Sequence, residues 1–151
     1  MIFVFSILTD AFFIALMAQC AVTDIKTHTV SNGSVITLLC LGLVHMAMML
    51  QPGGAWWIYP AGLLSAVPFF IAWLMDGMGA GDVKLLMGIG FYLGLWNMLA
   101  AFAFMLPALI VCTLITRKKG KRSNNTVPFA PVLACGAVGT VLLGYVLSLL
   151  N

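Results

Sequence analysis

From Val83 to Thr116 the chain is apolar, with Lys84 near its start as the only charge. A membrane span needs about 20 apolar residues, with a range of about 17–25. The run is too long for one ordinary span and short for two, and it commits the chain to a bilayer. Composition agrees. The 151 residues are 63% hydrophobic and 7% charged, with a mean hydropathy of +1.13, which is too little polar surface to cover a water-soluble domain. An all-α polytopic membrane protein without a sheet is expected, as one membrane-embedded domain over residues 1–151. The first residues, Met1-Ile2-Phe3-Val4-Phe5, carry no basic region. A retained first span is therefore expected in place of a cleaved signal peptide.

The first span is read from Ile2 to Val22 and holds Asp10. A polar break follows from Thr23 to Gly33. The second span runs from Ser34 to Leu50, and Gln51-Pro52-Gly53-Gly54 reads as a turn. Trp56, Trp57 and Tyr59 read as an aromatic belt at an interface. The third span ends near Met75, before a glycine-rich turn from Asp76 to Asp82. Within the long run, Gly94-Leu95-Trp96-Asn97 is the expected turn. A turn there puts Lys26, Lys84 and the Arg117–Arg122 cluster, all seven basic residues, on one side. Without it they are split. The positive-inside bias favours the turn, hence six transmembrane helices, a cytoplasmic basic side and both termini outside the cytoplasm. The last span starts near Thr126, a plausible N-cap, with Pro128 and Pro131 tolerated in a first turn.

Four acids lie in this apolar chain: Asp10, Asp24, Asp76 and Asp82. A charge at mid-bilayer costs roughly 2.5–3.5 kcal/mol by insertion scales, so such acids are read as functional by default. Six spans place Asp24 and Asp82 at one membrane level on the cytoplasmic side. Two close carboxylates share a proton near neutral pH. One can then activate a water while the other protonates a leaving group, with neither metal nor cofactor. Gly79 and Gly81 before Asp82 permit a tight turn or close approach of another strand. The plainer reading makes both acids polar residues at helix ends, with Asp82 a cap. From helix position, Asp82 at a helix start is expected to hold the charge and Asp24 at a helix end the proton.

Other residues are read more quietly. Lys26 and Lys84 are topology anchors that also stand beside the acids. Asp76 and His28 read as solvated loop residues, and His45 as a satisfied interior histidine. Asp10 precedes Asp24 by two heptads and shares its helix face, without a functional account. Cys20, Cys40, Cys112 and Cys135 lie singly, so no zinc site or disulfide framework is suggested; all four read as buried small apolar residues. Gly90/Gly94 and Gly77/Gly81 have the spacing that permits close helix approach. The basic cluster is short and has no interleaved aromatics, so nucleic acid is not an expected partner.

Three blocks together carry a family resemblance. Asp24-Ile25-Lys26-Thr27-His28-Thr29-Val30-Ser31-Asn32 resembles the first catalytic block of the type IV prepilin peptidases, membrane aspartic proteases of the Gly-x-Gly-Asp type. Gly79-Ala80-Gly81-Asp82-Val83-Lys84 matches their second block. Pro128-Phe129-Ala130-Pro131, with Gly136, resembles the start of their last helix. Ser31 stands where many members have proline.

The resemblance implies Asp24 and Asp82 as the catalytic pair and a prepilin-like protein as substrate. Its short basic leader would be cut on the cytoplasmic face of the inner membrane. Larger members carry paired Cys-x-x-Cys motifs and N-methylate the new terminus. That segment is absent here, and the small size is similar to peptidases of tight-adherence (Flp) pilus systems and preflagellin peptidases. Two other readings stay open. One is a non-enzymatic subunit of a pilus or secretion platform. The other is a protease of signal-peptide-peptidase type, against which Thr23 stands where those enzymes carry tyrosine.

Overall fold

The computed structural model describes residues 2–27, 29–48, 50, 54–76, 78–118 and 129–150. Among them the chain forms helices and no strand: α1 (Ile2–Thr27), α2 (Asn32–Met48), α3 (Ile58–Gly62), a 3-10 turn (Leu63–Ala66), α4 (Val67–Leu74), α5 (Ala80–Lys118) and α6 (Ala130–Leu150). The expected all-helical class is what is found. Among the described residues three stretches are long and apolar enough to cross a membrane, Phe5–Thr27, Ala80–Cys112 and Ala130–Leu150; Asn32–Met48 and Ile58–Leu74 are shorter apolar segments. His28, Gln51 to Gly53 of the expected turn, Gly77, and the segment 119–128 with Thr126 and most of the basic cluster lie outside the described residues.

Burial is inverted relative to a water-soluble domain. Leu8, Phe12, Leu106 and Leu149 are exposed, whereas Asp10 and Asp24 retain only 9% and 5% of their accessible surface. An apolar outside and acids inside are the distribution expected where the outer face meets lipid tails. The same logic corrects the cysteines. Cys20 is buried, but Cys40 and Cys135 are exposed, since a small apolar side chain has no need of the interior when the exterior is hydrocarbon.

Two helices depart from the expected boundaries. α1 runs past Asp24 through Thr27, because Thr23 and Thr27 turn their hydroxyls onto the Gln19 and Thr23 carbonyls at 2.9 Å each and stay helical inside the expected break. The third apolar segment is not one straight helix. Pro68 has no N–H to offer, and the chain tightens into the 3-10 turn before restarting with Pro68 in the first turn of α4.

α5 packs against α2, α3 and α6, while α1 packs against α2 and α6. Leu85, Leu86, Ile89, Tyr92 and Met98 of α5 are fully enclosed with Phe13, Met17, Leu38 and Leu133. α5 is broken at Gly94, whose φ of 76° and ψ of 169° are non-helical and suit a residue without a Cβ. Tyr92 and Asn97, on either side of the break, line one cavity with Tyr145, whereas Met105 lies where a Cβ on Gly136 would stand. Beyond Gly94 the chain therefore heads back toward the start of α6.

Gly90 and Gly94 both face α3, as their spacing suggested. A Cβ on Gly90 would overlap the Gly62 carbonyl, one on Gly62 would overlap the Gly90 carbonyl, and one on Gly94 would press on Ile58. The backbones of α3 and α5 thus touch directly, the close approach that small residues permit in membrane bundles.

Candidate active site

Asp24 lies in the last turn of α1 and points inward. Its Oδ2 accepts the backbone N–H of Ala130 at 3.1 Å. Ala130 is the first residue of α6, where the leading N–H groups have no partner inside the helix. The buried carboxylate satisfies one of them from the far side of the sequence. Thr126, the expected local cap, lies outside the described residues.

Asp82 lies in the first turn of α5. Its own N–H donates to the Gly79 carbonyl at 3.2 Å, and the Val83 N–H reaches the same oxygen at 3.4 Å. The Asp82 carboxylate folds back over Gly79, where a Cβ would stand 3.3 Å from Oδ2. Among the described residues only Gly94 combines glycine with positive φ. Gly79 therefore serves by leaving room for the carboxylate.

The two acid-bearing blocks dock on each other. A Cβ on Gly81 would lie 3.4 Å from Val30 Cβ, an ordinary contact. Lys84 Nζ donates to Asn32 Oδ1 at 3.3 Å. Asp24 and Asp82 thereby come near enough for their charges to interact, without a direct hydrogen bond between them among the described residues. Ser31 earns its place locally: its Oγ accepts the Ser34 N–H at 3.1 Å and caps α2. Lys26 is exposed on the last turn of α1.

The expected division of charge between the acids needs correction. It rested on Asp24 meeting only the carbonyl end of its own helix. The Ala130 N–H puts Asp24 at the start of α6 as well, so both acids stand at helix N-termini. An explicit donor thus stands beside the Asp24 carboxylate, where only carbonyls were expected. Sequence reasoning had no signal for this bond, because it joins residues 106 positions apart.

The remaining acids separate. Asp76 is exposed, in a turn after α4, with a φ of 57°. Asp10 is interior. Its Oδ1 and Oδ2 each accept a tyrosine hydroxyl at 2.6 Å, from Tyr92 and Tyr145. Beside them His45 Nδ1 is buried without a hydrogen-bond partner. Trp56 and Trp57 are exposed as a belt would be, but Tyr59 lines the cavity near Asp10. Among the described residues no three His, Cys, Asp or Glu side chains form a metal-binding group.

A family model described as the type IV leader peptidase family matches residues 11–116, a stretch holding both Asp24 and Asp82. The prepilin leader peptidase/N-methyltransferase of Bacillus subtilis (strain 168) is 35% identical over 141 residues, 87% of this chain and 54% of that protein. The chain thus spans about half the length of that relative. No solved structure matches it.

Proposed function

The chain belongs to the type IV leader peptidase family, and on that premise we propose a membrane aspartic endopeptidase that uses Asp24 and Asp82 to remove the leader of a prepilin-like protein. One observation carries the assignment of the pair: Gly81 seats on Val30 and Lys84 on Asn32, which brings the two acid-bearing blocks to one junction.

In this reading Asp24 holds the negative charge, steadied by the Ala130 N–H, and takes a proton from the attacking water. Asp82 carries the shared proton and gives it to the leaving amine. The two act as one coupled unit. Gly79 keeps the space into which the Asp82 carboxylate folds. Lys84 is tied to Asn32, so it braces the junction of the two blocks. Lys26 anchors the end of α1.

The proposed topology is six crossings, the break at Gly94 separating the fourth from the fifth. The arm 80–93 spans about 21 Å at 1.5 Å per residue, enough for a short crossing. α5 ends at Lys118 and α6 begins beside Asp24, which supports placing the basic cluster at the Asp24 end. The positive-inside rule makes that end cytoplasmic, in the inner membrane. There a short basic leader preceding an apolar helix would meet the acids.

The direct test is the purified chain in proteoliposomes with a prepilin-like protein bearing such a leader. Mass spectrometry should find the leader removed by the parent chain and retained with Asp24→Asn. Cleavage by that variant rejects the assignment.

A further inference from the structure

At the opposite end of α1 the structure holds a second polar site. Asp10 precedes Asp24 by fourteen residues, about 21 Å of helix. Around it is a cavity of about 280 Å³, whose walls include Asp10, His45, Tyr59, Tyr92, Asn97 and Tyr145. That is below the roughly 300–1,000 Å³ usual for drug-sized ligands and excludes a folded peptide or an oligosaccharide.

The chemistry of the walls is one-sided. A carboxylate has about four acceptor positions, and the two tyrosine hydroxyls occupy two. Their 2.6 Å lengths are those of charge-assisted O–H···O bonds. No Lys or Arg lines the cavity among the described residues, and His45 is the basic side chain on its wall. His45 Nδ1 is buried and unpaired, although its ring is held 4.9 Å from Tyr92 and 5.7 Å from Tyr59. A tie between helices accounts for the tyrosine bonds. It accounts for neither the open volume nor the orphaned nitrogen.

We propose that this cavity binds a small organic primary ammonium group. Asp10 supplies the opposite charge, and polar atoms of the wall, His45 Nδ1 among them, accept its N–H groups. Two sources present this group at a membrane: the amine of an ethanolamine phospholipid headgroup, and a free amine. The site is separate from Asp24 and Asp82 and does not depend on the reaction assigned to them.

The chain has two histidines, His28 and His45, so nitrogen-15 labelling of histidine gives a sparse spectrum by NMR. The full chain is placed in nanodiscs of phosphatidylglycerol alone and titrated with ethanolamine. The His45 imidazole signal should move saturably, and an equal concentration of ethylene glycol should leave it in place. Nanodiscs containing phosphatidylethanolamine should show the shifted signal without addition if the lipid is the source, and the unshifted one if only the free amine binds. Asp10→Asn keeps an oxygen for the tyrosines but removes the charge, and should weaken ethanolamine binding at least tenfold.

A second variant probes the cavity without touching Asp10. Gly144 lines it, and nothing lies within 4 Å of where its Cβ would stand. Gly144→Leu fills that space and should also weaken binding at least tenfold. A signal unmoved by both ethanolamine and the phospholipid overturns the proposal. So does an equal response to ethylene glycol, or full binding in Gly144→Leu.

Discussion

The Asp24 carboxylate accepts the backbone N–H of Ala130 at 3.1 Å, across 106 positions of sequence. One bond thus holds the last turn of α1, the first turn of α6 and one member of the proposed pair. An acid that also secures a helix start is held in a fixed place. It is costly to lose, since an unmade buried hydrogen bond leaves a polar group unsatisfied at about 1–3 kcal/mol.

Structure and chemistry at Asp24 separate by choice of substitution. Asp24→Asn keeps an oxygen for Ala130, so the protein should insert and melt within about 1 kcal/mol of the parent. Leader removal should still fall on the order of a thousandfold or more in Asp24→Asn, Asp82→Asn and the double variant, with the double no worse than either. EDTA should leave the parent rate unchanged. Cleavage assays with thermal denaturation in detergent measure both; additive losses across the double variant would break the coupled-pair reading.

Infrared difference spectra near neutral pH report which acid carries the proton. The protonated carboxylic-acid band should persist in Asp24→Asn and vanish in Asp82→Asn, because the Ala130 N–H steadies charge at Asp24. The opposite pattern returns the assignment to the one expected from helix position alone.

Gly79→Ala presses a Cβ against the Asp82 carboxylate, and Gly81→Ala makes only an ordinary contact with Val30. The first should slow cleavage about tenfold or more, since small misplacements of a reacting group are costly. The second should stay within a few-fold of the parent. Equal effects would show that room over Gly79 does not set the position of Asp82.

Gly62→Ala and Gly90→Ala each drive a Cβ into the facing backbone carbonyl. Overpacking costs about 1–3 kcal/mol when side chains can yield, and backbone yields less. Both variants should lower the melting temperature in detergent, while Gly144→Ala, facing open space, should not. A parent-like melt for both would refute direct contact of α3 with α5.

Asp76 holds a φ of 57° after α4, a conformation costing a residue with a Cβ roughly 1–2 kcal/mol. Asp76→Gly should raise stability by about 1 kcal/mol and leave cleavage unchanged. A loss of cleavage would move Asp76 into the active site.

Much was legible in the chain alone, because its signals are local. Apolar run lengths set the helical class, Gly94 marked the break in α5, and two short blocks named Asp24 and Asp82. The class follows because a backbone in hydrocarbon must satisfy its own hydrogen bonds within each segment. What the sequence left open depends on partners far along the chain. His45 reads as an ordinary interior residue until its neighbours leave Nδ1 unpaired. Asp10 has no evident role until Tyr92 and Tyr145 close on it from α5 and α6. Asp24 looks like a helix-end acid until Ala130 arrives. A buried charge is decided by the donors that surround it, and in this bundle those donors come from helices that only tertiary packing brings together.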